Sequence, residues 1–150
     1  MARSMGLDVG KRRIGVSVSD TQKVIAKPVG VIDRHKQDAI GSILTQALKQ
    51  QADEIVVGYP YHANGNISEQ ALTVERFVSA MRRRIQIPIV FYDERYSTVE
   101  AIEILGAKRR PASEQSDDAI AAAVILQRYL DSKRAQSAQF SEEDWHDADV

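Results

Sequence analysis

Residues 6–10, Gly6-Leu7-Asp8-Val9-Gly10, place a single carboxylate inside a short apolar run, and the surroundings of that run decide how the chain folds. The β-type stretch covers residues 4–10, and a second covers 14–19 beyond the polar Lys11-Arg12-Arg13. Two such stretches separated by a few polar residues read as a β-hairpin. An ionised Asp in an apolar strand costs several kcal/mol unless it is paired or bound to a cation. Asp8 therefore either bonds to a turn at Gly10 or meets a charged partner brought from elsewhere in the chain.

Working outward, residues 26–32 supply a third strand. Between 38 and 50, Ile40, Ile43, Leu44, Ala47 and Leu48 recur at helical spacing and predict a helix with one buried stripe. Residues 54–58 form a strand rich in Ile and Val, ended by Gly58 and Pro60, with a loop through Asn64-Gly65. Asn66 is placed to cap the next helix in a capping box with Glu69, and Ile67, Ala71, Val74, Phe77, Val78, Met81 and Ile85 line its inner face. Pro88 closes that helix, 89–92 make another strand, and Ser97 or Thr98 caps a helix to about Leu105. Residues 106–114 read as a loop, and Ser116 caps a last helix through Asp131 with Ala119, Ile120, Ala123, Val124 and Leu130 inward. A hairpin and a third strand, followed by alternating helices and strands, predict an α/β domain. Its sheet is mixed and five-stranded, with an antiparallel flank and helices on both faces.

The remaining acids fall where such a sheet would gather them. Asp93-Glu94-Arg95 follows the last strand and Asp117-Asp118 opens the last helix. Strand ends in open α/β sheets share one edge, the edge where ligands bind. Three carboxylates meeting there need a cation, and hard oxygen donors suit Mg²⁺ or Mn²⁺, which points to phosphodiester chemistry. Taken one at a time, the same acids also read as loop salt bridges or as helix-start carboxylates favoured by the dipole.

Composition narrows the function classes. The 150 residues suit one domain, without Cys, so thiolate metal sites and disulfides are excluded, and His35, His62 and His146 lack zinc-ligand spacing. No apolar segment approaches the ~18 residues of a membrane span and no signal peptide is read, so the expected location is the cytosol with no membrane partner. Net charge is −1, but residues 135–150 hold five acids and no Lys or Arg, which leaves 1–134 with twenty basic residues against sixteen acids, a net of +4. The body is thus mildly basic, and residues 132–150 read as an acidic, flexible tail in which Phe140 and Trp145 suggest docking on a partner. Lys11-Arg12-Arg13, Arg82-Arg83-Arg84 and Lys108-Arg109-Arg110 form basic triplets, the first and third beside acidic motifs. Each alone also reads as a solvated surface. The loop carrying Tyr59, Tyr61, His62 and Asn64 offers rings and amides for bases or phosphate, or is simply a Gly/Pro turn.

In order, the motifs are Gly6-Leu7-Asp8-Val9-Gly10 with 13–20 (Arg-Ile-Gly-Val-Ser-Val-Ser-Asp), Gly58-Tyr59-Pro60 to Asn64-Gly65, Asp93-Glu94-Arg95-Tyr96-Ser97-Thr98, and Asp118-Ala119-Ile120-Ala121-Ala122 to Leu126-Gln127-Arg128-Tyr129-Leu130. Over residues 5–131 the chain resembles the YqgF family, also called RuvX, of bacterial Holliday-junction-resolvase-like nucleases. Val9, Tyr96, Tyr59, Tyr61 and Ala63 depart from common choices, but no acid is lost. The resemblance implies an RNase H-like nuclease domain over 1–131. It implies a hydrolase, a divalent-metal-dependent endo- or exonuclease that processes the 5′ end of precursor 16S rRNA, or alternatively resolves Holliday junctions.

On the family pattern Asp8, Glu94 and Asp118 are the catalytic, metal-binding triad, with Asp93 and Asp117 in reserve. Two ions, Mg²⁺ or Mn²⁺, would be held with Asp8 bridging them, one lowering the pKa of the attacking water and the other stabilising the leaving 3′ oxygen. Lys11, Arg12, Arg13, Tyr59, Tyr61, His62, Asn64, Arg95, Ser97, Thr98, Lys108, Arg109 and Arg110 are the candidate nucleic-acid contacts. The expected partners are pre-rRNA or branched DNA and ribosomal particles, with the protein a monomer or a homodimer. Two rivals remain. The Asp-x-Gly hairpin also resembles the phosphate-binding opening of the actin, hexokinase and Hsp70 group, which duplicates its core where this chain has one copy. The other rival is a non-catalytic RNA-binding, ribosome-assembly module.

Overall fold

A computed structural model describes residues 2–60, 68–93 and 117–148, with the helical backbone alone over 137–148. Strands β1 (Arg3–Val9), β2 (Arg13–Ser19) and β3 (Ala26–Asp33) form an antiparallel meander. Helix α1 (Ala39–Gln50) leads into β4 (Ala52–Tyr59), helix α2 (Glu69–Arg84) into β5 (Ile89–Asp93), and helix α3 (Asp117–Ala148) ends the described chain. The sheet order is β3-β2-β1-β4-β5, with β4 parallel to both β1 and β5. This is the expected mixed sheet with an antiparallel flank. Its parallel half is reached by helical crossovers and its antiparallel half by tight turns, which is what each kind of pairing demands.

Strand alternation divides the chemistry of β1 cleanly. Met5, Leu7 and Val9 bury in one cluster with Ile43 and Ala47 of α1 and Val74, Phe77, Val78 and Met81 of α2. Ser4, Gly6 and Asp8 therefore face the other way, toward α3, where Val56, Ile125, Leu126 and Leu130 form a second, smaller cluster. Helices thus cover both faces. Gln51, at φ 57°, turns the chain from α1 into β4 within one residue, its N–H bonding back to the carbonyls of Ala47 and Leu48.

Two boundaries differ from expectation. The cap of α2 is Ser68, whose Oγ accepts the Ala71 N–H at 2.9 Å, and the helix begins at Glu69 rather than near Asn66. The last helix, expected to stop at Asp131, continues to Ala148. Apolar periodicity does end near Leu130, but residues 132–148 contain neither Gly nor Pro, so nothing in them interrupts the backbone ladder. Asn66, the helix from Ser97, the loop 106–114 and the Ser116 cap lie outside the described residues. Among the described residues no helix is long and apolar enough to cross a membrane.

Candidate functional site

The site grows from the polar side of the hairpin. Asp8 stands next to last on β1 and pairs with Gly15 on β2, while Gly6 pairs with Ser17. These neighbours are small, so α3 descends onto the sheet until backbone meets backbone. A Cβ on Gly15 would collide with the Asp118 carbonyl group, and one on Gly6 would lie 2.8 Å from Leu126 Cβ and 2.9 Å from the Ala122 oxygen. Asp118, in the first turn of α3, is thereby seated over the strand neighbour of Asp8. Two carboxylates far apart in sequence are thus brought near enough at the carboxyl end of β1 for their charges to interact.

Their charges interact. Burial first, and the negative charge of Asp118 second, push the Asp8 carboxyl up to about 6. Asp118 Oδ2 lies 3.4 Å from Arg13 Nε, with the two side chains 37% and 65% exposed. Such a pair contributes ~0–1 kcal/mol and exchanges readily with solvent or ligand. Lys11 and Arg12 make similar outer pairs, with Glu69 at 3.7 Å and Asp33 at 3.6 Å. A hard divalent cation fits this donor set: oxygen ligands only, and a half-buried carboxylate whose ionised form is disfavoured in the absence of positive charge. Among the described residues no group of three potential metal ligands assembles, and Glu94, the expected third acid, lies outside them.

The other candidates separate. Asp117 is exposed beside Asp118. Asp93 pairs with Tyr59, and alternation places it with Ile89 and Phe91 on the α1 and α2 side of the sheet, away from Asp8. Tyr59, expected to meet bases, is 6% exposed. Its hydroxyl donates to Glu75 Oε1 at 3.0 Å and its ring stands edge-on to Phe91 at 5.1 Å, a placement closed to an incoming base. The Arg82-Arg83-Arg84 triplet sits at the opposite sheet edge, where Arg82 donates to the Ile89 carbonyl and Arg84 forks onto Asp38 at 3.0 and 2.9 Å. Tyr61, His62, Asn64, Arg95, Ser97, Thr98, Lys108, Arg109 and Arg110 lie outside the described residues.

Three residues escaped the sequence reading. Arg34 donates from Nη1 to the Gly10 carbonyl at 2.8 Å, with its guanidinium 4.8 Å from the Phe77 ring centroid, and so braces the turn after Asp8. A lone arginine after a strand carries no sequence signal for this. Gly15 and Ser17 did carry one: with Gly6 they are small residues at strand period on a single face, the pattern of a close approach.

Comparison with known proteins bears on the same residues. The family model RuvX, described as Holliday junction resolvase, matches residues 2–132. A protein of Roseiflexus sp. (strain RS-1), provisionally named a pre-16S rRNA nuclease, is 42% identical over 135 residues, 88% of this chain and 96% of that protein. One of the same name from Chloroflexus aggregans is 39% identical over 134 residues, 87% of this chain and 94% of that protein. Among solved structures, T. thermophilus RuvC in complex with a Holliday junction substrate aligns with TM-score 0.55 at 18% identity, covering 89% of this chain and 96% of that one. The fowlpox virus Holliday junction resolvase aligns with TM-score 0.52 at 13% identity, covering 87% and 99%. At such identities the two structures show the fold, that of RuvC-like resolvases with an RNase H-like core.

Proposed function

The chain belongs to the RuvX family, and from that premise we propose that it is a divalent-metal-dependent nuclease that hydrolyses phosphodiester bonds of structured nucleic acid. The observation that carries the reading is the facing pair Asp8 and Asp118, in which Asp8 is pushed up to about 6 by burial and by its neighbour's charge. Two acids brought to one spot at such a cost are explained by a cation that both would bind. In this reading Asp8, Asp118 and Glu94 hold two Mg²⁺ or Mn²⁺ ions, with Asp117 in reserve. When bound, the metal supplies Lewis acidity and hydroxide at neutral pH.

The chain's own residues do the rest. Asp8 and Asp118 exchange mutual repulsion for a shared cation. Arg34 holds the Gly10 carbonyl, so the turn that begins two residues after Asp8 keeps its shape. Lys11, Arg12 and Arg13, whose own side chains are exposed and whose ion pairs are long, turn to backbone phosphates and bring the scissile bond over the acids. Hydrolysis adds water across the bond and releases the 3′ oxygen. The proposed substrate is precursor 16S rRNA, as the names of the relatives suggest, and the proposed action is on its 5′ end in the cytosol. The family model's description favours a second reading, cleavage of branched DNA.

One experiment tests all of this. Wild type and Asp8→Asn are incubated with precursor rRNA and with a four-way DNA junction, each in Mn²⁺ or in EDTA. Cleavage by wild type in Mn²⁺ alone is expected, with loss of at least ~10²-fold in Asp8→Asn. Cutting that survives EDTA and the substitution would refute the metal mechanism, and preference for the junction would select the second reading.

A further inference from the structure

We infer that Gly15 and Ser17, on β2, are positioning residues that set the separation of Asp118 from Asp8; the inference rests on the metal site proposed above. Strand and helix run in the same direction here, with Asp118 over Gly15 and Ala122 over Ser17. Two residues along a strand advance ~6.6 Å and four along a helix ~6 Å, so the two contacts repeat almost without drift. At the first, the missing side chain of Gly15 lets the Asp118 carbonyl reach the strand, where a Cβ would collide with it and stand 3.0 Å from the Ala119 nitrogen. At the second, one turn on, the Ser17 hydroxyl donates to the Ala122 carbonyl at 2.8 Å and lies 3.3 Å from the Gly6 carbonyl.

Gly15 sets how deep the helix start sits, and Ser17 sets its roll. Both matter because, among the described residues, the exposed Arg13 pairing is what steadies the Asp118 side chain. Its position is inherited from the backbone. Metal ligands must stand within ~0.2 Å of their ideal distances, so a helix start lifted by the width of a methyl group would separate the two acids beyond what a shared cation tolerates.

The test uses the full chain and Mn²⁺ as the probe, with binding read from the free-ion EPR signal and turnover on precursor rRNA read separately. Gly15→Ala is expected to weaken Mn²⁺ binding ~10- to 100-fold and to lower kcat while KM for RNA stays near wild type. Ser17→Ala, which removes the hydrogen bond without adding volume, moves both readouts the same way by less and serves if Gly15→Ala does not fold. In an Asp118→Asn background either change should cost nothing further, since the group it positions is gone. Ile43→Val, in the core on the far face of the sheet, should lower Tm and leave Mn²⁺ affinity unchanged. Wild-type affinity in both Gly15→Ala and Ser17→Ala, or a penalty repeated in full without Asp118, would overturn the inference. A wild type that binds no Mn²⁺ would overturn the metal reading instead, and this one with it.

Discussion

Two partly buried carboxylates lie on the α3 face of the sheet and titrate in opposite directions. Burial alone would raise Glu54, yet it is held below its usual value because Ser4 Oγ donates to it at 2.5 Å, the Tyr129 hydroxyl at 2.9 Å, and Lys23 adds its charge at 3.2 Å. Asp8, four residues along β1 from Ser4, has another acid facing it and is raised to about 6. The signs for stability follow. The Glu54 contribution is present above its unfolded pKa near 4.5 and is lost as pH falls through the lower folded value. Stability at Asp8 is fully present below 3.8 and is lost as pH rises through about 6. For a shift of about two pKa units the loss is at most ~3 kcal/mol. Asp8→Asn should therefore raise the Tm of the metal-free protein at pH 7.5 by several degrees, with the gain vanishing near pH 4. Thermal melts in EDTA across that range read it directly, and an equally stable wild type at pH 7.5 would contradict the electrostatic account. A residue that costs stability where the protein works is what a functional acid looks like.

At the scale of elements, α3 serves two roles. Its first half packs on β1, β2 and β3 through Ala122, Ile125, Leu126 and Leu130, and is anchored farther along by Gln127, which accepts the Ala26 N–H and donates to the Val24 carbonyl, both at 2.8 Å. Its second half outruns the sheet: 32 residues span ~48 Å, whereas a seven-residue strand spans ~23 Å. Residues 133–136 are accordingly exposed. Deleting 135–150 should change Tm by no more than a few degrees. It should also tighten RNA binding at low salt, because it takes the net charge from −1 to +4. Melting curves and filter binding on the truncated chain check both. The sequence reading placed this boundary at Asp131 because the apolar stripe stops there. Helical backbone needs no stripe to continue, only the absence of residues that break it.

For the molecule as a whole, the sheet order sorts the basic triplets by use. Lys11-Arg12-Arg13 lies on the site edge, whereas Arg82-Arg83-Arg84 lies at the other, occupied with Asp38 and the Ile89 carbonyl. Binding to single-stranded RNA through the first triplet predicts a log–log salt slope of about −2, each contact contributing ~0.7. Replacing Arg12 by Ala should flatten the slope by about that amount, whereas replacing Arg83 should leave it unchanged. Titrations at four salt concentrations distinguish the two, and equal effects would place the phosphate track elsewhere.

The five strands, the first two helices and the antiparallel flank followed from the sequence, because period and punctuation are local properties: Ile43 and Ala47 mark a helix face, and Gly58 with Pro60 marks a strand end, whatever else the chain does. The special status of Asp8 was equally legible, since a carboxylate in an apolar strand demands a partner. Which acid answers it was a tertiary matter. The family pattern named Asp118 and kept Asp93 in reserve, but only the fold turned Asp93 to the far face by strand alternation and, through Gly15 and Ser17, let a helix settle deep enough to bring Asp118 across. Tyr59 likewise read as a surface ring and became core because its strand phase points it at Glu75 and Phe91. Local pattern names the groups able to do chemistry, but which of them meet depends on long-range register and on the depth of packing, and neither is encoded at any single position.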